Sequence, residues 1–101
     1  MNTNKVKTIV KLSSEWCAPC KLYKTTFEKA SKMDEYKDLT FKEMDIENDE
    51  GAEMFVEKYQ VKSVPTTLLL DENEDVIYKI MGNVPLKDLT ETINQALSDR
   101  E

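Results

Sequence analysis

Trp16-Cys17-Ala18-Pro19-Cys20 sits between a short β-branched run and a stretch whose apolar residues fall at helical spacing. Cys17 and Cys20 are the only cysteines of the chain. Two thiols separated by two residues can close into a disulfide and reopen, and at the start of a helix one of them can be held as thiolate. Thiol–disulfide exchange is therefore the first chemistry the chain suggests. A structural role is weaker, because a disulfide closing so short a loop removes little entropy from the unfolded chain. A metal role is weaker too. Zinc and iron–sulfur sites normally take four Cys or His ligands, and this chain offers two cysteines and no histidine. No metal is expected.

Outward from the motif, Val6, Thr8, Ile9 and Val10 make residues 6–13 a strand. Pro19 is tolerated in a helix's first turn, and Tyr23, Phe27 and Ala30, with Leu22 and Met33 widening the stripe, predict a helix from about Pro19 to Met33. Residues 39–46 read as a second strand. Asn48-Asp49-Glu50-Gly51 offers cap chemistry for a helix whose apolar face is Ala52, Phe55, Val56 and Tyr59. Val64-Pro65 opens a buried strand that runs through Leu70. The polar turn 71–75 and the strand Val76–Met81 complete a hairpin, which Gly82 ends. Leu86, Leu89, Ile93, Ala96 and Leu97 mark a closing helix after Pro85, with residues 98–101 frayed. The order is β-α-β-α-β-β-α. It predicts an α/β domain spanning residues 1–101, with a mixed four-stranded sheet and helices on both faces.

The 101 residues suffice to bury a core without covalent staples. A net charge of −6 disfavours nucleic acid and anionic membrane surfaces as partners. Lys5, Lys7 and Lys11 interrupt the apolar residues of Met1–Leu12, so neither a signal peptide nor a membrane span is expected, and the expected compartment is the cytoplasm.

Trp-Cys-Ala-Pro-Cys-Lys at 16–21, between a strand and a helix, together with Val64-Pro65-Thr66 at the start of a later strand, resembles the thioredoxin superfamily. The likeness runs from about Val6 to Leu97. It implies a thioredoxin-like fold and a protein-disulfide reductase with no bound cofactor beyond a redox-active Cys17–Cys20 disulfide. Cys17 would be the nucleophile and Cys20 the resolving thiol. Pro65 would be a cis-proline beside the disulfide, and Trp16, Ala18, Pro19, Val64, Gly82 and Asn83 would line the substrate groove. The implied partners are disulfide-containing proteins and a thioredoxin reductase that passes electrons from NADPH. A monomer is expected.

Four departures from the family pattern stand out. Ala18 replaces a glycine, which stiffens the loop. Thr25 replaces a kinking proline, so the first helix is expected to be straighter. Few residues precede the first strand, which suggests a shortened topology closer to glutaredoxin. Lys11, six residues before Cys17, occupies the position of a buried aspartate. The lysine that pairs with that aspartate in the family is matched here by Glu43. The expectation is a charge-reversed pair, since buried charges persist only when paired. A cation ~6 Å from a thiolate at an effective dielectric of about 20 lowers its pKa by about two units. Lys11 would then tune a thiol, with Glu43 taking over proton transfer; the competing reading has Lys11 snorkelling to the sheet end, touching neither thiol. Two other functions compete with the reductase: a glutathione-linked, glutaredoxin-like enzyme, and a non-catalytic binding module on the same fold.

Overall fold

The computed structural model describes residues 5–98. Its order is β1 (Val6–Ser13), α1 (Ala18–Ser31), a 3-10 turn (Asp34–Tyr36), β2 (Thr40–Asp45), α2 (Ala52–Lys58), β3 (Thr66–Asp71), β4 (Val76–Met81) and α3 (Leu86–Ser98). This is the predicted β-α-β-α-β-β-α order with the 3-10 turn added. The expectations for residues 1–4 and 99–101 lie outside the described residues, while Ser98 is the last residue of α3.

The sheet order is β2-β1-β3-β4. β1 runs parallel to β2 and antiparallel to β3, and β3 runs antiparallel to β4. β1 and β3 are the interior strands, and β3 is buried at all six positions. A continuous apolar run is what a strand covered on both faces requires. Alternation divides the core between those faces. Ile9 and Leu69 meet Tyr23, Phe27 and Ala30 of α1 and Leu89, Ile93 and Ala96 of α3. Val10, Leu12, Leu68 and Leu70 meet Tyr59, with Phe55 and Val56 of α2 packed against them. Helices therefore cover both faces.

α1 shows how the sequence fixes its orientation. Tyr23, Phe27 and Ala30 recur at the spacing that keeps one face against the sheet, and each is essentially buried. Phe27 meets Phe41 edge-on, with centroids 5.5 Å apart and an interplanar angle of 69°. Such a pair adds about 0.5–1.5 kcal/mol beyond its burial. Tyr23 completes its polar end at the Thr67 hydroxyl, 2.7 Å away. Leu22 does not widen the stripe: it is 69 % exposed, on the opposite face of the helix. Thr25 lies within an uninterrupted helix.

The acidic run before α2 works differently from the expected cap. The N-cap is Gly51, at φ 88°, and no side chain caps the helix. Asp45 instead accepts the backbone N–H groups of Glu47 and Asn48, and Asp49 accepts that of Asp45. These bonds close the turn after β2. They hold the Asp45 carboxyl below its usual range, chiefly through the Glu47 amide.

Lys11 is the anomaly of the core. It lies on the Ile9 side of β1, opposite Glu43 in the parallel register, and is only 2 % exposed. Its Nζ is 3.6 Å from Glu43 Oε1 and 5.4 Å from the centre of the Phe27 ring. The ammonium has not snorkelled into solvent. The pair is lopsided, because the Glu43 side chain on edge strand β2 is 41 % exposed. Burial pushes the Lys11 pKa down, and Glu43 opposes that shift.

This asymmetry sets two expectations for the oxidised protein. Glu43→Gln strands a buried ammonium and should cost about 1–3 kcal/mol in urea denaturation, whereas Lys11→Met leaves a solvated carboxylate and should be neutral or stabilising by up to about 2 kcal/mol. The lowered lysine pKa also means that the unfolded chain binds the extra proton between that value and 10.5, so the Lys11 contribution to stability rises with pH across that window. Wild type minus Lys11→Met isolates the slope, because Tyr23 and Tyr36, whose pKa values burial raises, act in the opposite sense in both proteins. An equal cost for the two substitutions would refute the lopsided pair.

Candidate active site

β1 ends at Ser13, and the chain turns through Ser14-Glu15-Trp16 into α1. The Cys17 N–H donates to the Ser14 carbonyl across 3.3 Å and closes this turn. Cys17 is the N-cap of α1, with extended backbone (φ −92°, ψ 111°), and Pro19 falls in the first turn. The Cys17 Sγ accepts the Cys20 backbone N–H at 3.2 Å. A helix N-terminus leaves such amides without intrahelical partners and favours negative charge beside them. The dipole supplies roughly one pK unit of thiolate stabilisation when the site is partly buried, and the amide bond adds to it.

Cys17 and Cys20 are joined as a disulfide, with Cα atoms 5.2 Å apart. Cys17 is 8 % exposed and Cys20 3 %. The difference follows from position: Cys17 caps the helix end, and Cys20 faces inward one turn later.

Opposite Cys17 stands the loop before β3. The Val64–Pro65 peptide is cis. The Val64 carbonyl oxygen lies 3.7 Å from Cys17 Sγ, close enough to accept from the thiol of the reduced form. The loop is tied at both ends. Thr66 Oγ1 donates to the Ser63 carbonyl at 2.7 Å, and the Gly82 N–H donates to the Pro65 carbonyl at 2.8 Å. Gly82 adopts φ 91°, which strains any residue with a Cβ, so glycine is needed where the hairpin turns back onto this loop.

Ala18 and Pro19 are exposed on the helix side of Cys17, and Asn83 is exposed next to Gly82. Trp16 is 70 % exposed, with its indole N–H donating to Glu47 Oε1 at 2.8 Å. Trp16, Ala18 and Pro19 thus flank Cys17 along the chain, Val64 faces its sulfur, and Gly82 is tied to Pro65. Met81, next to Gly82, is 66 % exposed and opposite Thr66 in the β3–β4 ladder, and Glu47 anchors Trp16. Neither carried a motif. Met81 was legible only as the outward position of a strand end.

Lys11 and Glu43 lie elsewhere. They line a cleft of about 340 Å³ on the far side of the pair, together with Cys20, Ser14, Lys24 and Asp45. Cys17 is not among its lining residues. The charge pair therefore shares a cleft with Cys20 and not with Cys17. Among the described residues no group of three or more His, Cys, Asp or Glu side chains could hold a metal ion.

Comparison with known proteins agrees with this arrangement. The family model described as thioredoxin matches residues 1–95. A thioredoxin of Mycoplasmoides gallisepticum is 29 % identical over 93 residues, covering 92 % of this chain and 86 % of its own. Thioredoxin H5 of rice, Oryza sativa subsp. japonica, is 34 % identical over 90 residues, covering 88 % of this chain and 62 % of its own. Among solved structures, a thioredoxin of Malassezia sympodialis aligns with a TM-score of 0.79 at 23 % identity, over 95 % of this chain and 80 % of that one. Thioredoxin f from spinach chloroplast, in its short form, aligns with a TM-score of 0.77 at 26 % identity, over 95 % and 80 %. A dithiol pair at the head of α1, within a match that runs over residues 1–95, places the chain in the thioredoxin family, as a thiol–disulfide oxidoreductase that reduces protein disulfides.

Proposed function

We propose that Cys17 is the attacking thiol, that Cys20 resolves the mixed disulfide, and that electrons arrive from NADPH through a thioredoxin reductase in the cytoplasm. The observation that carries the assignment is the Cys17 sulfur at the helix N-cap, accepting the Cys20 amide and facing the Val64 carbonyl. Cys17 is the more exposed residue of the two, and its sulfur has a backbone amide donor, which suits the group that meets substrate first.

In the reduced protein, the Cys17 thiolate attacks one sulfur of a target disulfide. A Cys17–substrate bond forms, the target's S–S bond breaks, and the departing thiolate takes up a proton. The Cys20 thiol then loses its proton and attacks the Cys17 sulfur. The Cys17–Cys20 disulfide forms, and the substrate leaves with both cysteines reduced. The protein has been oxidised by two electrons, which a reductase must restore. An extended substrate segment would lie along Val64 beside Trp16, with the Val64 carbonyl within reach of its backbone N–H.

Lys11 acts on the second step. Lys11 and Cys20 line the same cleft, and a cation there favours the Cys20 thiolate. Glu43, at the solvent side of the pair, is the acceptor for the proton that Cys20 releases.

Insulin reduction coupled to thioredoxin reductase and NADPH tests the assignment. Cys17→Ser should be inactive, and Cys20→Ser should accumulate a covalent mixed disulfide visible by mass spectrometry. Turnover with glutathione alone would replace the electron donor, and failure with both donors would leave a binding module. In thiol titration, Lys11→Met should raise the Cys20 pKa by about one to two units while leaving Cys17 within a few tenths. An unmoved Cys20 overturns the electrostatic role.

A further inference from the structure

The negative charge of this chain is concentrated in one segment. Residues 45–58 hold six of its 20 acidic residues and one of its 14 basic ones, which is −5 of the net −6. The single lysine of that segment does not neutralise it, because Lys58 Nζ pairs with Glu74 of the β3–β4 turn at 3.7 Å. Glu50, Glu53 and Glu57 are exposed and have no ion-pair partner among the described residues.

This acidic segment borders the reactive sulfur. Near its start, Glu47 holds the Trp16 indole N–H at 2.8 Å. Its Ile46 and Val56, with Val61 and Val64, line an apolar cleft of about 210 Å³. Val64 also presents its carbonyl to the Cys17 sulfur at 3.7 Å, so the cleft lies beside the point of attack. All four apolar residues pack on the core and are only half-buried. Lys62 is the one cation that lines the cleft. On the other side of Cys17 the sign changes, since α1 carries Lys21, Lys24 and Lys29 against Glu28 alone.

We infer that the cleft receives an apolar side chain next to the target's disulfide, and that the target carries Lys or Arg around that side chain. Charge complementarity selects this occupant. An acidic segment would meet like charges, and a second copy of this chain would bring the same acidic wall against its twin. Lysine and arginine suit the site on both counts, because their aliphatic stems can lie on an apolar rim while their heads face carboxylates. A segment extended along Val64 turns alternate side chains to opposite sides, so one can enter the cleft while its neighbours reach the rim. The field also acts before contact. It extends over ~8–10 Å at physiological ionic strength and favours encounters in which the target's basic side meets the acidic wall.

The inference rests on Cys17 as the attacking thiol and adds the class of protein that it meets. The test is the rate at which the reduced chain reduces synthetic peptide disulfides, followed by chromatography without any reductase. Two peptides share a Leu-Cys core and carry either Arg or Glu at the flanking positions. At low ionic strength the Arg peptide should react about tenfold faster or more, and the ratio should approach one in 1 M salt, where the screening length is ~3 Å. Replacing Leu by Ser in the Arg peptide should slow it about tenfold. The variant Glu50→Lys/Glu53→Lys/Glu57→Lys should bring the Arg-to-Glu ratio to one or below. The same variant should reduce hydroxyethyl disulfide, which is small and uncharged, at the wild-type rate. Equal rates for the two peptides at low ionic strength overturn the inference, as does a ratio that the triple variant leaves unchanged. A Ser peptide as fast as the Leu peptide removes the cleft from it. In each of these cases reduction of hydroxyethyl disulfide still upholds Cys17. If the wild type reduces neither the peptides nor hydroxyethyl disulfide, the assignment of Cys17 fails, and the docking surface fails with it.

Discussion

The pairing of β1 with β3 is the constraint on which the reactive end of the molecule depends. It sets Leu12 beside Thr66 and Lys11 beside Thr67. One strand ends where the turn into α1 begins, and the other starts where the Val64–Pro65 loop ends. A sulfur at the head of α1 and a carbonyl before β3 meet because their parent strands are hydrogen-bonded neighbours. Slipping the register by one residue would turn every β1 side chain to the opposite face and exchange the two halves of the core. The geometry of Cys17 and the packing of the core are therefore fixed by the same ladder.

The parallel pairing of β1 with β2 plays the corresponding part for the cleft. It brings Glu43 opposite Lys11, but on a strand that has a neighbour on one side only. An interior strand meeting an edge strand yields a pair with one dry partner and one wet one. That is why the lysine carries the desolvation while the carboxylate stays near solvent, and why the two residues are not interchangeable in energy.

Much of this was legible in the chain. The β-branched run at 6–13, the Tyr23/Phe27/Ala30 spacing and the apolar run after Pro65 are strong periodic signals, and their elements appear within a few residues of where the spacing puts them. Opposing Lys11 and Glu43 could be read through the family resemblance, which supplies the partner position on the neighbouring strand, and the parallel register bears it out. The degree of burial could not, because it depends on which strand forms the edge. Leu22 looked like core, since helical spacing constrains a face only to within the width of a stripe. The 48–51 run looked like a cap, since its Asp and Asn residues suit a tight turn equally well.

The two ties on the loop before β3 bear on how the enzyme meets its substrates. Ser63, Pro65 and Gly82 are held by Thr66 and by the hairpin end, so the wall opposite Cys17 is already in place before anything docks. A preformed wall spares a visiting segment the entropy of ordering the receptor. Recognition can then rest on a small contact and still be selective for shape. A small contact also lets go quickly, which suits a catalyst that must release each protein once its disulfide has been exchanged.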